Sequence, residues 1–109
     1  MQVKLMAFSL FLFSFIATVY AEVPVFKLVI KDHLFFPSDF EIPANTKVKL
    51  LVHNQDASAE EFESYELNRE KVIEGGRKVV IFIGPLPAGD YPFFGEFYPK
   101  TAQGVIRVK

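Results

Sequence analysis

From Val25 onward, the sequence is a series of short apolar runs separated by turn residues about every ten positions. The runs are rich in β-branched and aromatic residues, as at 25–30, 47–53 and 78–83. In 47–53, lysines alternate with apolar residues, which is the two-residue period of a strand with one buried face. No long helical period is present, and the chain contains 7 prolines. This pattern predicts an all-β fold, specifically a β-sandwich.

Residues 58–74 fit two structures. Ser58 followed by Glu61 matches a helix capping box, and Gly75 stands where a helix C-terminal glycine is expected. The apolar residues do not keep a 3.6-residue spacing, because Arg69 stands where a core residue is due. A helix and a strand therefore both remain open for this segment. Gly75-Gly76 is also expected to form a hairpin turn into the run at 78–83.

The two alternatives place the acidic residues of this segment differently. A strand would put Glu61 and Glu63 on one face, about 7 Å apart along the chain. A helix would instead group Glu63 with Glu66 and Glu70.

The first 21 residues have a different character. Lys4 and the amino terminus precede an apolar run at 5–19, and Val19-Tyr20-Ala21 matches a signal peptidase site. A short run with that ending is typical of a secretory signal peptide rather than a membrane span. We therefore expect a cleavable signal peptide at 1–21 and an exported domain at 22–109; an uncleaved membrane anchor is the alternative.

Composition excludes several function classes. The absence of cysteine excludes disulfides, thiolate metal sites and a cysteine nucleophile. The formal net charge is −1, and basic and acidic residues are interspersed, so neither a nucleic-acid partner nor a membrane surface is predicted. Neither His33 nor His53 lies in a nucleophile motif, and no phosphate-binding glycine loop is present. We expect no enzymatic activity.

The densest charge is acidic and lies at 60–66, with a further acidic residue at Glu96. Like charges at this density repel unless a cation offsets them. One interpretation is a solvated segment paired with nearby basic residues. These residues are Arg69, Lys71, Arg77 and Lys78. The other interpretation is a set of hard oxygen ligands, suited to iron(III), manganese or calcium and less well to copper(II).

Several motifs resemble those of the cupredoxin family. They are Pro43-Ala-Asn-Thr46, Val52-His-Asn54, Pro87-Ala-Gly-Asp-Tyr-Pro-Phe-Phe94 and Gly104-Val-Ile-Arg-Val108. The resemblance covers 25–109 and implies a Greek-key, cupredoxin-like β-sandwich.

The copper ligands of blue copper proteins are not matched. The first histidine position falls on Glu60 or Glu61. The cysteine position falls on Gly95, the second histidine on Tyr98 and the methionine region on 101–103. Since a type 1 centre requires one thiolate and two imidazoles, type 1 copper is excluded.

Three segments are most similar to the EfeO-type cupredoxin-like domain, which is associated with bacterial iron uptake. They are Glu60-Glu-Phe-Glu-Ser64, Leu67-Asn-Arg-Glu-Lys71 and Phe93-Phe-Gly-Glu-Phe97. This resemblance implies a periplasmic metal-binding accessory protein beside a membrane iron permease, with iron or copper(II) as the metal. The metal ligands that it implies are Glu61 and Glu63, and more loosely Glu96 and His33.

The alternative is a cupredoxin-like sandwich that binds no metal and serves as a structural or protein-interaction module. Phe94, Phe97 and Tyr98, around an open Gly95, would then form an aromatic patch for a partner. The oligomeric state is left open by the sequence.

Overall fold

The computed structural model describes residues 22–109, so the expected signal peptide lies outside the described residues. The described chain forms nine strands and no helix, so it has no helix that could cross a membrane. The strands are β1 (Val25–Lys31), β2 (Leu34–Phe36), β3 (Asp39–Ile42), β4 (Val48–Asn54), β5 (Glu60–Ser64), β6 (Arg69–Ile73), β7 (Lys78–Ile83), β8 (Gly89–Gly95) and β9 (Gln103–Val108). The prediction of an all-β fold is confirmed.

The strands form two sheets that enclose one core. The four-stranded sheet has the order β2-β1-β4-β7, and the five-stranded sheet has the order β3-β9-β8-β5-β6. The pairs β1–β4 and β3–β9 are parallel, and the other pairs are antiparallel. Parallel neighbours cannot be joined by a tight hairpin. The chain therefore passes repeatedly between the sheets and links them into a sandwich.

The core follows from the two-residue period of the strands. In β4 the side chains of Val48, Leu50 and Val52 are fully buried, as their alternation with lysines predicts. Three phenylalanines fill the centre. The Phe93 ring lies 4.9 Å from that of Phe35 in an edge-on contact and 5.1 Å from that of Phe62 in a stacked one.

Both ends of the described chain are tied into the sandwich. The Pro24 carbonyl accepts a hydrogen bond from the Lys49 amide, and the Lys109 carbonyl accepts one from the Ala44 amide. Among the described residues, the core cluster runs from Leu28 to Val108, and both sheets pack against it.

The segment 58–74 is a β-hairpin made of β5 and β6, so the helical alternative is wrong. The strand buries Phe62 completely, and the turn buries Leu67, whose amide donates a hydrogen bond to the Ser64 hydroxyl. Asn68 has a positive φ of 52°, a backbone conformation that asparagine tolerates in turns. Arg69, which interrupts the helical spacing, is exposed, and its Nε donates to the Phe82 carbonyl of the other sheet.

Gly75 and Gly76 do not form the expected hairpin turn, because β6 and β7 belong to different sheets. They carry the chain across the sandwich. A Cβ atom at Gly75 would collide with the Ala57 carbonyl oxygen, and Gly76 has a φ of +75°. The buried Asn54 side chain fixes this crossover by donating to the Ser58 and Ile73 carbonyls.

The aromatic centre generates a stability prediction. Replacing Phe93 by alanine should lower the free energy of unfolding of residues 22–109 by about 3–5 kcal/mol, because it removes a buried ring and leaves a cavity. Phe97→Ala is the matched control: that side chain is 48% exposed, so the loss should stay near 0.5 kcal/mol. Urea unfolding measures both values, and equal losses would contradict the core described here.

Candidate metal centre

Three carboxylates meet on the outer face of the five-stranded sheet. Glu61 and Glu63 point outward from β5, and Glu70 lies on β6 directly opposite Glu63. One carboxylate oxygen from each of the three lies within 4.8 Å of the others. We call Glu61, Glu63 and Glu70 the carboxylate triad.

The register of the hairpin brings the triad together. Phe62 and Ser64 point into the sandwich, where Phe62 is fully buried and the Ser64 hydroxyl donates to the Pro92 carbonyl. These contacts hold Glu61 and Glu63 on the opposite face, as the strand alternative predicted. Glu70 was not among the expected ligands, because its place beside Glu63 depends on the hairpin register, which the sequence alone does not define.

Glu96 lies beside the triad without being part of it. Its amide donates a hydrogen bond of 2.9 Å to the Glu61 carbonyl, and its negative charge contributes to the raised pKa values of Glu61 and Glu63. Its side chain is exposed. Glu96 therefore affects the triad through its charge, but its carboxylate is not among the three that meet.

His33 makes other contacts. It follows β1 in a turn, where its Nδ1 lies 3.5 Å from a carboxylate oxygen of Asp56. Its ring stacks on Tyr98 with centroids 3.5 Å apart. The carboxylate cluster in the described chain does not include His33.

Two carboxyl groups of the triad, those of Glu61 and Glu63, have raised pKa values. The pKa of Glu61 is raised to about 7 by a hydrogen bond with Glu70, by burial, and by the charges of Glu70, Glu63 and Glu96. The pKa of Glu63 is raised by burial and by the charges of Glu70 and Glu96. Both side chains belong to residues only 9% exposed.

No basic side chain within residues 22–109 forms an ion pair with the triad. The ion pairs there are His33–Asp56, Arg107–Asp39, Arg107–Asp90 and Lys109–Glu41. The pairing expected for a solvated segment is therefore not formed by Arg69, Lys71, Arg77 or Lys78. Arg69 instead donates to backbone carbonyls.

Glu60 is oriented the opposite way and lies inside the sandwich at 1% exposure. Its Oε1 accepts hydrogen bonds from the amides of Glu61 and Phe97, both at 2.9 Å. Its Oε2 is buried without a hydrogen-bond partner among the described residues. A Cβ atom at Gly95 would lie 2.5 Å from that carboxylate and 2.7 Å from the Cβ of Ala102.

These residues do not fit a type 1 copper centre. The resemblance aligned Glu60 or Glu61, Gly95 and the region of Ala102 with copper ligands, and the structure brings Glu60, Gly95 and Ala102 together. The space between them holds the Glu60 carboxylate, fixed by two backbone amides. No cysteine is available to supply a thiolate.

The expected aromatic patch is only partly formed. Gly95 is buried rather than open, and the Phe94 ring packs 5.6 Å from the Tyr65 ring. Tyr98 is covered on one side by His33, so Phe97 is the largely exposed member of the set.

The raised pKa values of the triad predict how stability depends on pH. Between pH 4.5 and about pH 7 the folded protein holds a proton on Glu61 that the unfolded chain has released, so stability falls as pH rises through this window. Glu61→Gln should flatten this part of the curve of melting temperature against pH. Glu66→Gln, an exposed carboxylate outside the triad, is the control; equal slopes in the two variants would contradict the assignment.

The position of Glu60 predicts a coupling with Gly95. Gly95→Ala should destabilise the domain by about 1–3 kcal/mol, because the added methyl group collides with the Glu60 carboxylate. In the double variant Glu60→Ala/Gly95→Ala, the loss in urea unfolding should be smaller than the sum of the two single losses. Strictly additive losses would show that the two residues do not share the space.

Comparison with known proteins identifies the family of the fold. The family model of the cupredoxin-like domain matches residues 4–108. The uncharacterized protein RP394 of Rickettsia prowazekii (strain Madrid E) is 46% identical over 82 residues. That match covers 75% of this chain and 66% of the relative, so this chain spans slightly less than two thirds of the relative's length.

Solved structures share the fold at low identity. Auracyanin A, a blue copper protein from Chloroflexus aurantiacus, superposes with a TM-score of 0.70 at 11% identity, covering 81% of this chain and all of that one. The metal-binding domain of the Cu(I)-exporting ATPase CopA of Streptococcus pneumoniae D39 gives 0.69 at 16% identity, covering 78% and 84%. A purple cupredoxin from Nitrosopumilus maritimus gives 0.58 at 18% identity, covering 76% and 98%. From its sequence match and its two-sheet sandwich, the chain belongs to the cupredoxin-like domain family.

Proposed function

We propose that the protein is an exported, periplasmic metal-binding accessory protein that holds a hard cation at the carboxylate triad. The observation that carries this proposal is the convergence of three carboxylate oxygens within 4.8 Å of one another. No basic side chain of residues 22–109 pairs with them. The Glu61–Glu70 hydrogen bond and burial raise the pKa values of this site, and repulsion among the carboxylates adds to them. A bound cation would offset that repulsion.

The ligand chemistry favours iron over Cu(I). Carboxylate oxygens suit iron(III), manganese and calcium, and less well copper(II), whereas Cu(I) prefers thiolate and thioether sulfur. The chain has no cysteine, and Met1 and Met6 are its 2 methionines, so residues 22–109 contain no sulfur ligand. The structurally similar CopA domain was solved with Cu(I), but we do not propose Cu(I) as the metal of this protein.

The position of the triad favours delivery rather than storage. Glu70 and Glu96 are exposed, so a bound cation would be open to solvent on one side. An open, all-oxygen site releases its metal readily. The similarity to EfeO-type domains supports a membrane iron permease as the recipient.

The proposal predicts a metal-dependent gain in stability. Iron(III) added at a hundredfold excess over its dissociation constant should stabilise residues 22–109 by about 2.7 kcal/mol, since only the folded state assembles the triad. Thermal melting against iron(II), iron(III), copper(II), manganese(II) and calcium measures the gain and ranks the metals.

The double variant Glu61→Gln/Glu63→Gln should lose the metal-induced shift. The matched control is Glu66→Gln/Glu74→Gln, which removes the same charge at two exposed positions outside the triad and should keep the shift. A shift that survives in the triad variant would reject the site. If no metal changes the melting temperature of the wild-type domain, the metal-free interaction module becomes the better account.

A further inference from the structure

The outer face of the four-stranded sheet carries positive charge and no acidic side chain. Outward positions alternate along β1, β2, β4 and β7, and strand pairing brings them side by side. The charged residues among them are Lys27, Lys31, Lys49 and Lys78. The other outward residues are His53 and apolar side chains, among them Val25, Phe36, Val80 and Phe82. We call this surface the lysine face.

The other sheet has the opposite charge. Its outward strand positions hold the carboxylate triad together with Asp39, Glu41 and Asp90, and the basic residue Arg107; Lys109, which follows β9, pairs with Glu41. Basic and acidic residues that are interspersed along the sequence are thus separated onto opposite surfaces of the sandwich.

The lysine face also exposes large apolar side chains. Val25, Phe36, Val80 and Phe82 are between 44% and 53% exposed. The ammonium group of Lys49 lies 5.6 Å from the centroid of the Phe82 ring, and that of neighbouring Lys47 lies 4.7 Å from it.

The lysines of this face are free to meet an anionic surface. Lys27 and Lys78, together with His53, line a shallow depression across β1, β4 and β7. The ion pairs within residues 22–109 do not include any lysine of this face. Their charges are therefore not neutralised by the described part of the protein.

We propose that the lysine face docks onto a bilayer containing anionic phospholipid. Such a surface combines dispersed negative charge, which lysines attract, with a headgroup layer that accepts apolar side chains. The lysines of this face would attract the negative charge, and its exposed phenylalanine and valine side chains would enter the headgroup layer. This inference concerns the sheet opposite the triad and does not depend on metal binding.

A second copy of the chain fits the face less well. The oppositely charged surface of a second copy is its acidic sheet, so the contact would be heterologous and would extend into open stacks rather than a closed dimer. It would also cover the triad. Docking on a bilayer leaves the triad directed away from the lipid.

The test is co-sedimentation of residues 22–109 with lipid vesicles. Vesicles of phosphatidylglycerol and phosphatidylcholine in equal parts should bind the domain, and pure phosphatidylcholine vesicles should not. Lys27→Gln/Lys49→Gln/Lys78→Gln should weaken binding about a hundredfold, since each lysine near an anionic bilayer contributes a factor of about five. The matched control Lys71→Gln/Lys100→Gln/Lys109→Gln removes equal charge elsewhere and should bind within about threefold of wild type.

Equal weakening by the two triple variants would overturn the proposal, because net charge rather than this face would then govern binding. Equal binding to both kinds of vesicle would overturn it as well. So would sedimentation equilibrium that detects self-association lost in the face variant, since a second copy would then occupy the face. If the face variant does not fold, wild-type binding must still fall steeply with added salt; salt-independent binding would reject the proposal.

Discussion

The strand β5 determines which carboxylates face outward and which one lies in the core. It lies between β6 and β8, and every one of its residues is buried. Its two-residue period sends Glu60 into the core and holds Glu61 and Glu63 on the outer face of the sheet. A register shift of one residue would reverse these directions. The packing of Phe62 against Phe93 therefore also determines which glutamates lie on the inner and outer faces of the sheet.

On the inner side, a carboxylate lies between positions that the resemblance aligns with the ligands of a copper centre. The backbone amides of Glu61 and Phe97 donate hydrogen bonds to the Glu60 carboxylate. This carboxylate fits there because Gly95 has no side chain. On the outer side, carboxylates gather without a compensating cation from residues 22–109. The chain thus keeps the sandwich of the cupredoxin-like family, while the metal site that we propose consists of outward carboxylates and contains no thiolate.

The sequence predicts the sandwich well, because most strands combine β-branched residues with a clear alternation, as Lys49 alternates with Val48 and Leu50. It does not decide the structure of 58–74, where a capping-box pattern competes with irregular apolar spacing. Glu70 joins the triad only through the turn that contains Leu67 and Asn68, and that register is a tertiary result. The resemblance to copper proteins does not decide whether Glu60 or Glu61 occupies the first histidine position, although the strand directs the two side chains to opposite faces. The lysine face is likewise not predicted by the sequence, because basic and acidic residues that are close in the sequence come to lie on opposite faces only when the two sheets form.

We propose that the metal binds at the outward triad and not in the interior at Glu60. Anomalous diffraction at the iron edge, on crystals of residues 22–109 grown with iron(III), tests it most directly. The account predicts one peak bounded by carboxylate oxygens of Glu61, Glu63 and Glu70. A peak inside the sandwich beside Glu60, or density showing the triad carboxylates paired with basic side chains and no iron, would contradict it.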